Sequence, residues 1–184
     1  MAQIEISSRK LPIGGDIIPF DLPGVDGQQY GPHTFADAAA LVVVFTCNHC
    51  PYAQAWEGRL IDLQRQYAHQ GVAFIAINAN DPLKHPGDSF EAMQARARDH
   101  GYPYPYLHDR PQTTARAYGA ERTPEVFAFD RQRKLVYHGA PDDNSDVDQV
   151  QQHYLRDAIE AALAGRPAPV TETRPVGCTI KWTR

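Results

Sequence analysis

Leu41-Val42-Val43-Val44-Phe45-Thr46-Cys47-Asn48-His49-Cys50-Pro51 carries an unbroken apolar run straight into two cysteines and a proline. Leu41 to Phe45 is rich in β-branched residues and reads as a strand covered on both faces, as does Val72 to Ile77. Between them, Trp56, Leu60, Leu63 and Tyr67 fall on one face of a helix. Pro51 is tolerated in its first turn, and Gly71 stops it. The unit is strand, helix, strand, with the Cys pair where the first strand hands over to the helix.

Working outward, Val25-Asp26-Gly27-Gln28 reads as the turn of an amino-terminal β-hairpin. Asp88 and Glu91 form a capping-box-like pair ahead of a helix whose apolar face is Phe90, Met93 and Ala97, with Gly101 after its end. Tyr104 to Leu107 reads as a short strand and Pro111 to Tyr118 as a short helix. Val126 to Phe129 and Leu135 to His138 read as an antiparallel hairpin. From Val147, the apolar positions Val150, Tyr154, Leu155, Ala158, Ile159 and Ala162 keep a helical period to Gly165. The tail, 166–184, is extended, with Cys178, Ile180 and Trp182 alternating against polar neighbours, and such an edge has to dock. The expectation is one α/β domain, 1–184, with a mixed central sheet and helices on both faces.

The bulk properties narrow the function classes. The chain has 184 residues, 42% apolar and 22% charged, as globular domains do. It carries no apolar run of bilayer length. Its 18 basic residues are scattered and outnumbered by 22 acidic ones, which argues against nucleic acid as a partner. Three cysteines are too few for a secreted disulfide scaffold, and Met1–Lys10 has no apolar leader core, so a cytoplasmic location is expected. Monomer and homodimer both fit the sequence.

Two cysteines three apart at a helix start can close a small disulfide loop. There the unpaired N–H groups and the positive end of the helix dipole stabilise a thiolate. Free thiols titrate near ~8.5 and fall to roughly 3.5–7.5 in such settings. This makes Cys47 the expected nucleophile and Cys50 the resolving thiol. Half a zinc site or two inert thiols are the alternatives. No second Cys pair is present to complete a zinc site, and the strand-to-helix placement favours redox chemistry. The remaining histidines show no metal-ligand spacing with the cysteines, and Asp142 and Asp143 read as a polar loop.

With Arg122-Thr123-Pro124-Glu125 standing just ahead of the antiparallel hairpin, the chain resembles the thioredoxin fold, a three-layer α/β/α sandwich. The resemblance implies that Pro124 is cis and packs beside the cysteines, and that Thr123 offers backbone polar groups to a substrate chain. The amino-terminal hairpin and the extra αβ insertion between the CxxC helix and Pro124 resemble the peroxiredoxin and thiol-disulfide reductase branch. Thr46 to Tyr52, Asp88 to Asp109, Ala140 to Asn144 and Gly177-Cys178-Thr179-Ile180-Lys181-Trp182 are similar to a bacterial group of peroxiredoxin-like, thioredoxin-family proteins.

The chain also departs from these patterns. Thr46 and Leu41 stand where thioredoxins carry a Trp and a buried Asp. A Thr directly before Cys47 breaks the peroxidase spacing, and Arg122 stands where many of the narrower group have Cys. Thr46, His49 and Arg122 are therefore the residues expected to tune the thiols. Cys178 is either a third redox thiol or a small apolar packing residue. The implied activity is thiol-disulfide exchange with a disulfide-containing protein or small molecule, restored by an external dithiol, with no organic cofactor or metal. A thiol peroxidase, a copper-binding module using both cysteines and a histidine, and a redox-dead interaction domain are the rivals.

Overall fold

In the computed structural model, which describes residues 11–183, the strand β3 (Ala40–Phe45) is buried at every position. Its neighbour β4 (Val72–Asn78) runs parallel to it, from Ala40 opposite Val72 to Phe45 opposite Ile77. They are joined by α1 (Pro51–Tyr67), so the βαβ unit read from the sequence is formed. Gly71, at φ 83, makes the left-handed turn that returns the chain to the sheet. The segment Met1–Lys10, on which the leader reading rests, lies outside the described residues.

A short hairpin, β1 (Leu22–Pro23) with β2 (Gln29–Tyr30), precedes this unit. After it come α2 (Phe90–Asp99), β5 (Tyr106–His108), α3 (Thr113–Tyr118), β6 (Arg122–Thr123), β7 (Glu125–Phe129), β8 (Leu135–Gly139), α4 (Tyr154–Leu163) and β9 (Cys178–Thr179). The sheet order is β5-β4-β3-β7-β8, parallel through β3, β4 and β5 and antiparallel at β7 and β8. Alternation along β3 divides the core. Leu41, Val43 and Phe45 pack with Ile75, Tyr118, Phe127 and Ile180, on the side of α3 and the tail. Val42 and Val44 pack with Leu60, Phe74, Leu155 and Ile159, on the side of α1 and α4. Each fully buried aliphatic side chain contributes about 1.5–3 kcal/mol, so both faces of β3 reward its run of Val. Among the described residues, no helix is long and apolar enough to cross a membrane.

β5 reaches only Ala76 to Asn78, leaving the first half of β4 without a strand on that side. The Gln64 side chain of α1 fills the gap: its Nε2 donates to Val72 O at 2.9 Å and its Oε1 accepts from Phe74 N at 2.8 Å.

Two boundaries differ from the sequence expectation. The last helix starts at Tyr154, not near Val147, because the backbone donors before it are engaged elsewhere. Gln151 N donates to Asp143 Oδ1 at 2.9 Å, and Gln149 N and Val150 N close a separate 3-10 turn on Asp146 O and Val147 O. Helix α2 is capped by Ser89, whose Oγ accepts from Ala92 N at 3.1 Å, and not by Asp88. Asp88 turns the other way, into the site.

Candidate active site

The chain leaves β3 with one more rung of parallel ladder, Thr46 N to Ile77 O at 2.8 Å, so Cys47 follows directly on the sheet. Cys50, with extended dihedrals of φ −71 and ψ 124, is the residue that opens α1, and Pro51 supplies the first helical position. Asn48, between the sulfurs, is held by a buried polar set. Asp88, 1% exposed, accepts from Asn48 N at 2.7 Å, Asn78 Nδ2 at 3.0 Å and Asn80 Nδ2 at 3.0 Å. Asn48 also donates through Nδ2 to Gly87 O at 2.9 Å and accepts Tyr106 Oη–H at 2.7 Å. With all these partners in place the Cys47–Cys50 loop has one geometry.

Opposite it, the Thr123–Pro124 peptide is cis. Both sulfurs meet Thr123: Cys47 Sγ lies 3.3 Å from its Oγ1, and the Cys50 thiol donates to its carbonyl oxygen at 3.3 Å. Glu125 holds this segment from behind, accepting Glu121 N at 2.8 Å and Arg122 N at 3.0 Å on one oxygen and pairing with His138 Nε2 at 2.6 Å on the other. Neither Glu125 nor Asp88 was singled out for the site by sequence reasoning. Their signal was a charged residue beside otherwise recognisable motifs.

The carboxyl-terminal tail closes the site. β9 pairs antiparallel with β6, setting Cys178 opposite Thr123, and the half-buried Cys178 packs against Cys47, Cys50 and Ala53. Gly177 passes so close that a Cβ there would lie 1.9 Å from Thr123 O. All three cysteines are free thiols, and Cys47 and Cys50 are each 3% exposed. Cys178 thus packs with Cys47, Cys50 and Ala53, whereas Ile180 and Trp182 pack in the core beside Phe45.

The Cys47 and Cys50 thiols share a hydrogen bond with each other. Cys47 is pushed up by the hydrogen bond it shares with Cys50, by burial and by the nearby Asp88 carboxylate, against a lowering contact from Thr123. Cys50 is lowered, first by that same Cys47 contact and then by the Cys178 thiol and the N–H groups of Ala53 and Cys178, despite burial. Both sulfurs draw on N–H groups at the start of α1, Cys47 on that of Cys50 and Cys50 on that of Ala53.

The expected tuning residues are placed differently. His49 is exposed and stacks over Gly87, where a Cβ would lie 1.5 Å from its Nε2. Arg122 Nη1 donates to Gly177 O at 2.8 Å, and from there its charge acts to lower the Cys178 thiol. Thr46 is buried and contributes its backbone to the sheet. Asp142 is no solvated loop residue: it accepts Trp56 Nε1 at 2.7 Å and Arg59 Nη1 at 2.6 Å, fixing α1 from the side. Among the described residues, no group of three or more His, Cys, Asp or Glu side chains is placed to hold a metal ion.

A mixed sheet flanked by helices, with a Cys pair at a helix start facing a cis-proline, is a thioredoxin-like architecture. The redoxin family model matches residues 13–153, and the chain belongs to that family. It is an oxidoreductase acting on thiols, of the thiol-disulfide oxidoreductase or peroxiredoxin-like kind. A hypothetical protein from Sinorhizobium meliloti 1021 is similar at 38% identity and a TM-score of 0.89, over 95% of this chain and 97% of that one. A conserved protein from Geobacillus kaustophilus is similar at 39% identity and 0.89, over 95% and 94%. A peroxidoxin from Mycobacterium tuberculosis shares the fold at 19% identity and 0.59, over 84% and 95%. No curated protein matches the sequence.

Proposed function

We propose that the protein is a thiol-disulfide oxidoreductase whose two electrons are held by Cys47 and Cys50. The observation that carries this reading is the convergence of both sulfurs on Thr123, each at 3.3 Å, beside the cis-proline. Two thiols held on one residue, with one of them lowered, are set for reversible two-electron oxidation.

In this reading the thiolate of one cysteine of the pair forms a mixed disulfide with one half of a substrate disulfide, and the other half takes up a proton and leaves as a thiol. The second cysteine then gives up its proton and attacks the first sulfur, releasing the second half. The substrate is reduced to two thiols and the pair is oxidised to a disulfide. An external dithiol returns two electrons and two protons. The substrate is a disulfide-bearing protein or small molecule.

The test is the acceleration of insulin-disulfide reduction by dithiothreitol. Wild-type protein should act catalytically, and the double variant Cys47→Ser/Cys50→Ser should abolish turnover. A wild-type rate equal to the protein-free rate sinks the reading.

A further inference from the structure

Cys178 stands outermost among three clustered sulfurs: it is half-buried, whereas Cys47 and Cys50 are each 3% exposed. The tail that carries it is fastened on both sides of the site. Ile180 is buried in the core, and Ile180 N donates to Glu121 O at 2.9 Å. Lys181 N donates to Asn80 Oδ1 at 2.9 Å, and Lys181 O accepts Asp81 N at 2.9 Å and Gln112 Nε2 at 2.9 Å. The Trp182 ring lies under Arg116, with the guanidinium carbon 4.3 Å from its centroid. A segment tied down this way is a wall of the site, and it leaves the sulfur of Cys178 between Cys50 and solvent.

We propose that Cys178 is a third redox thiol, the one that meets the substrate disulfide and passes it inward to Cys50. The inference rests on the thiol-disulfide exchange reading above and deepens it. Cys178 ionises, giving its proton to water, and attacks the substrate disulfide, forming a mixed disulfide at Cys178 while the departing thiolate takes a proton from water. Cys50 then attacks Cys178 Sγ, the second substrate half leaves, and a Cys50–Cys178 disulfide forms. Cys47 gives its proton to this second half and attacks Cys50 Sγ, closing Cys47–Cys50 and freeing Cys178 as the thiolate. One substrate disulfide becomes two thiols, and two protein thiols become one disulfide.

The experiment uses full-length protein and oxidised glutathione, with thiols counted and disulfides mapped on unreduced peptides. Cys47→Ser, unable to complete the last step, should lose two thiols and accumulate the Cys50–Cys178 disulfide. Cys178→Ser should still form Cys47–Cys50 at equilibrium but lose dithiothreitol-driven insulin reduction by about tenfold or more. If Cys47→Ser yields glutathione on Cys50 without a Cys50–Cys178 link, or if Cys178→Ser turns over at or above the wild-type rate, the relay is overturned. If Cys178→Ser forms no Cys47–Cys50 disulfide, the exchange reading itself fails, and the relay with it.

Discussion

The Asp88 carboxylate accepts the backbone N–H of Asn48 at 2.7 Å, tying the loop between the two cysteines to a residue on the far side of β4. The same bond places a negative charge beside Cys47 and helps keep that thiol protonated. Positioning and electrostatics therefore come from one side chain, and substitution separates them.

Asp88→Asn should keep the loop in place while removing the charge. One amide edge then faces the Asn80 Nδ2 donor, which costs about 1–3 kcal/mol for a buried mismatch. With the like charge gone, the Cys47 pKa falls, and its alkylation by iodoacetamide near neutral pH should speed up. Urea unfolding reads the first effect and peptide-resolved alkylation the second. An unchanged Cys47 rate in a folded variant contradicts the electrostatic role.

The location of the thiolate is testable by ultraviolet absorbance near 240 nm. At pH 7 the reduced protein should show a thiolate signal that persists in Cys47→Ser and disappears in Cys50→Ser. Because the folded Cys50 pKa lies below its unfolded value, its stabilising contribution is complete above ~8.5 and is lost as pH falls through the folded value. The opposite pattern in the two variants returns the charge to Cys47.

Gly177→Ala should loosen the tail, since the added methyl would meet the Thr123 carbonyl at 1.9 Å, a clash of backbone against side chain. Alkylation of Cys47 and Cys50 is expected to rise about tenfold, matching about 1.4 kcal/mol in the docking equilibrium. Rates equal to wild type mean that the tail does not shield these sulfurs.

Asp142→Ala strips partners from both Trp56 Nε1 and Arg59 Nη1. Loss of these charge-assisted bonds should cost about 2–3 kcal/mol and lower Tm by roughly 5–10 °C. A calorimetric scan decides it, and a shift within error assigns Asp142 no role in fixing α1.

Alkaline pH should unfold the protein through its tyrosines. Tyr106 and Tyr118 are raised by burial, and Tyr67 is pushed up to about 12 by burial and Glu160. The unfolded chain releases these protons near ~10, so it binds fewer protons than the folded state above that pH. The stability they lend is whole below ~10 and drains away as pH climbs toward the folded values. Tyrosinate absorbance near 295 nm should then rise together with loss of structure. Ionisation at ~10 in a still-folded protein contradicts this.

The sequence was most legible where one kind of pattern suffices. Uninterrupted Val in β3 and spaced apolar residues in α1 gave the βαβ unit, and Cys47, Cys50 and Pro124 were visible as types at meaningful places. What escaped depends on side chains meeting across long separations. Asp88 looked like a helix cap because Ser89 beside it could do the same work, and only the fold shows which of them turns toward Asn48. Asp142 looked solvated because its partners, Trp56 and Arg59, lie on a distant helix.

Gln64 has a consequence for how copies of this chain meet one another. By occupying Val72 O and Phe74 N it removes the backbone stickiness of the half of β4 that β5 fails to reach, which is where a foreign strand would otherwise zip on. A single amide thus does the work of a missing strand, and Gln64→Leu should trade solubility for a seam along which molecules join.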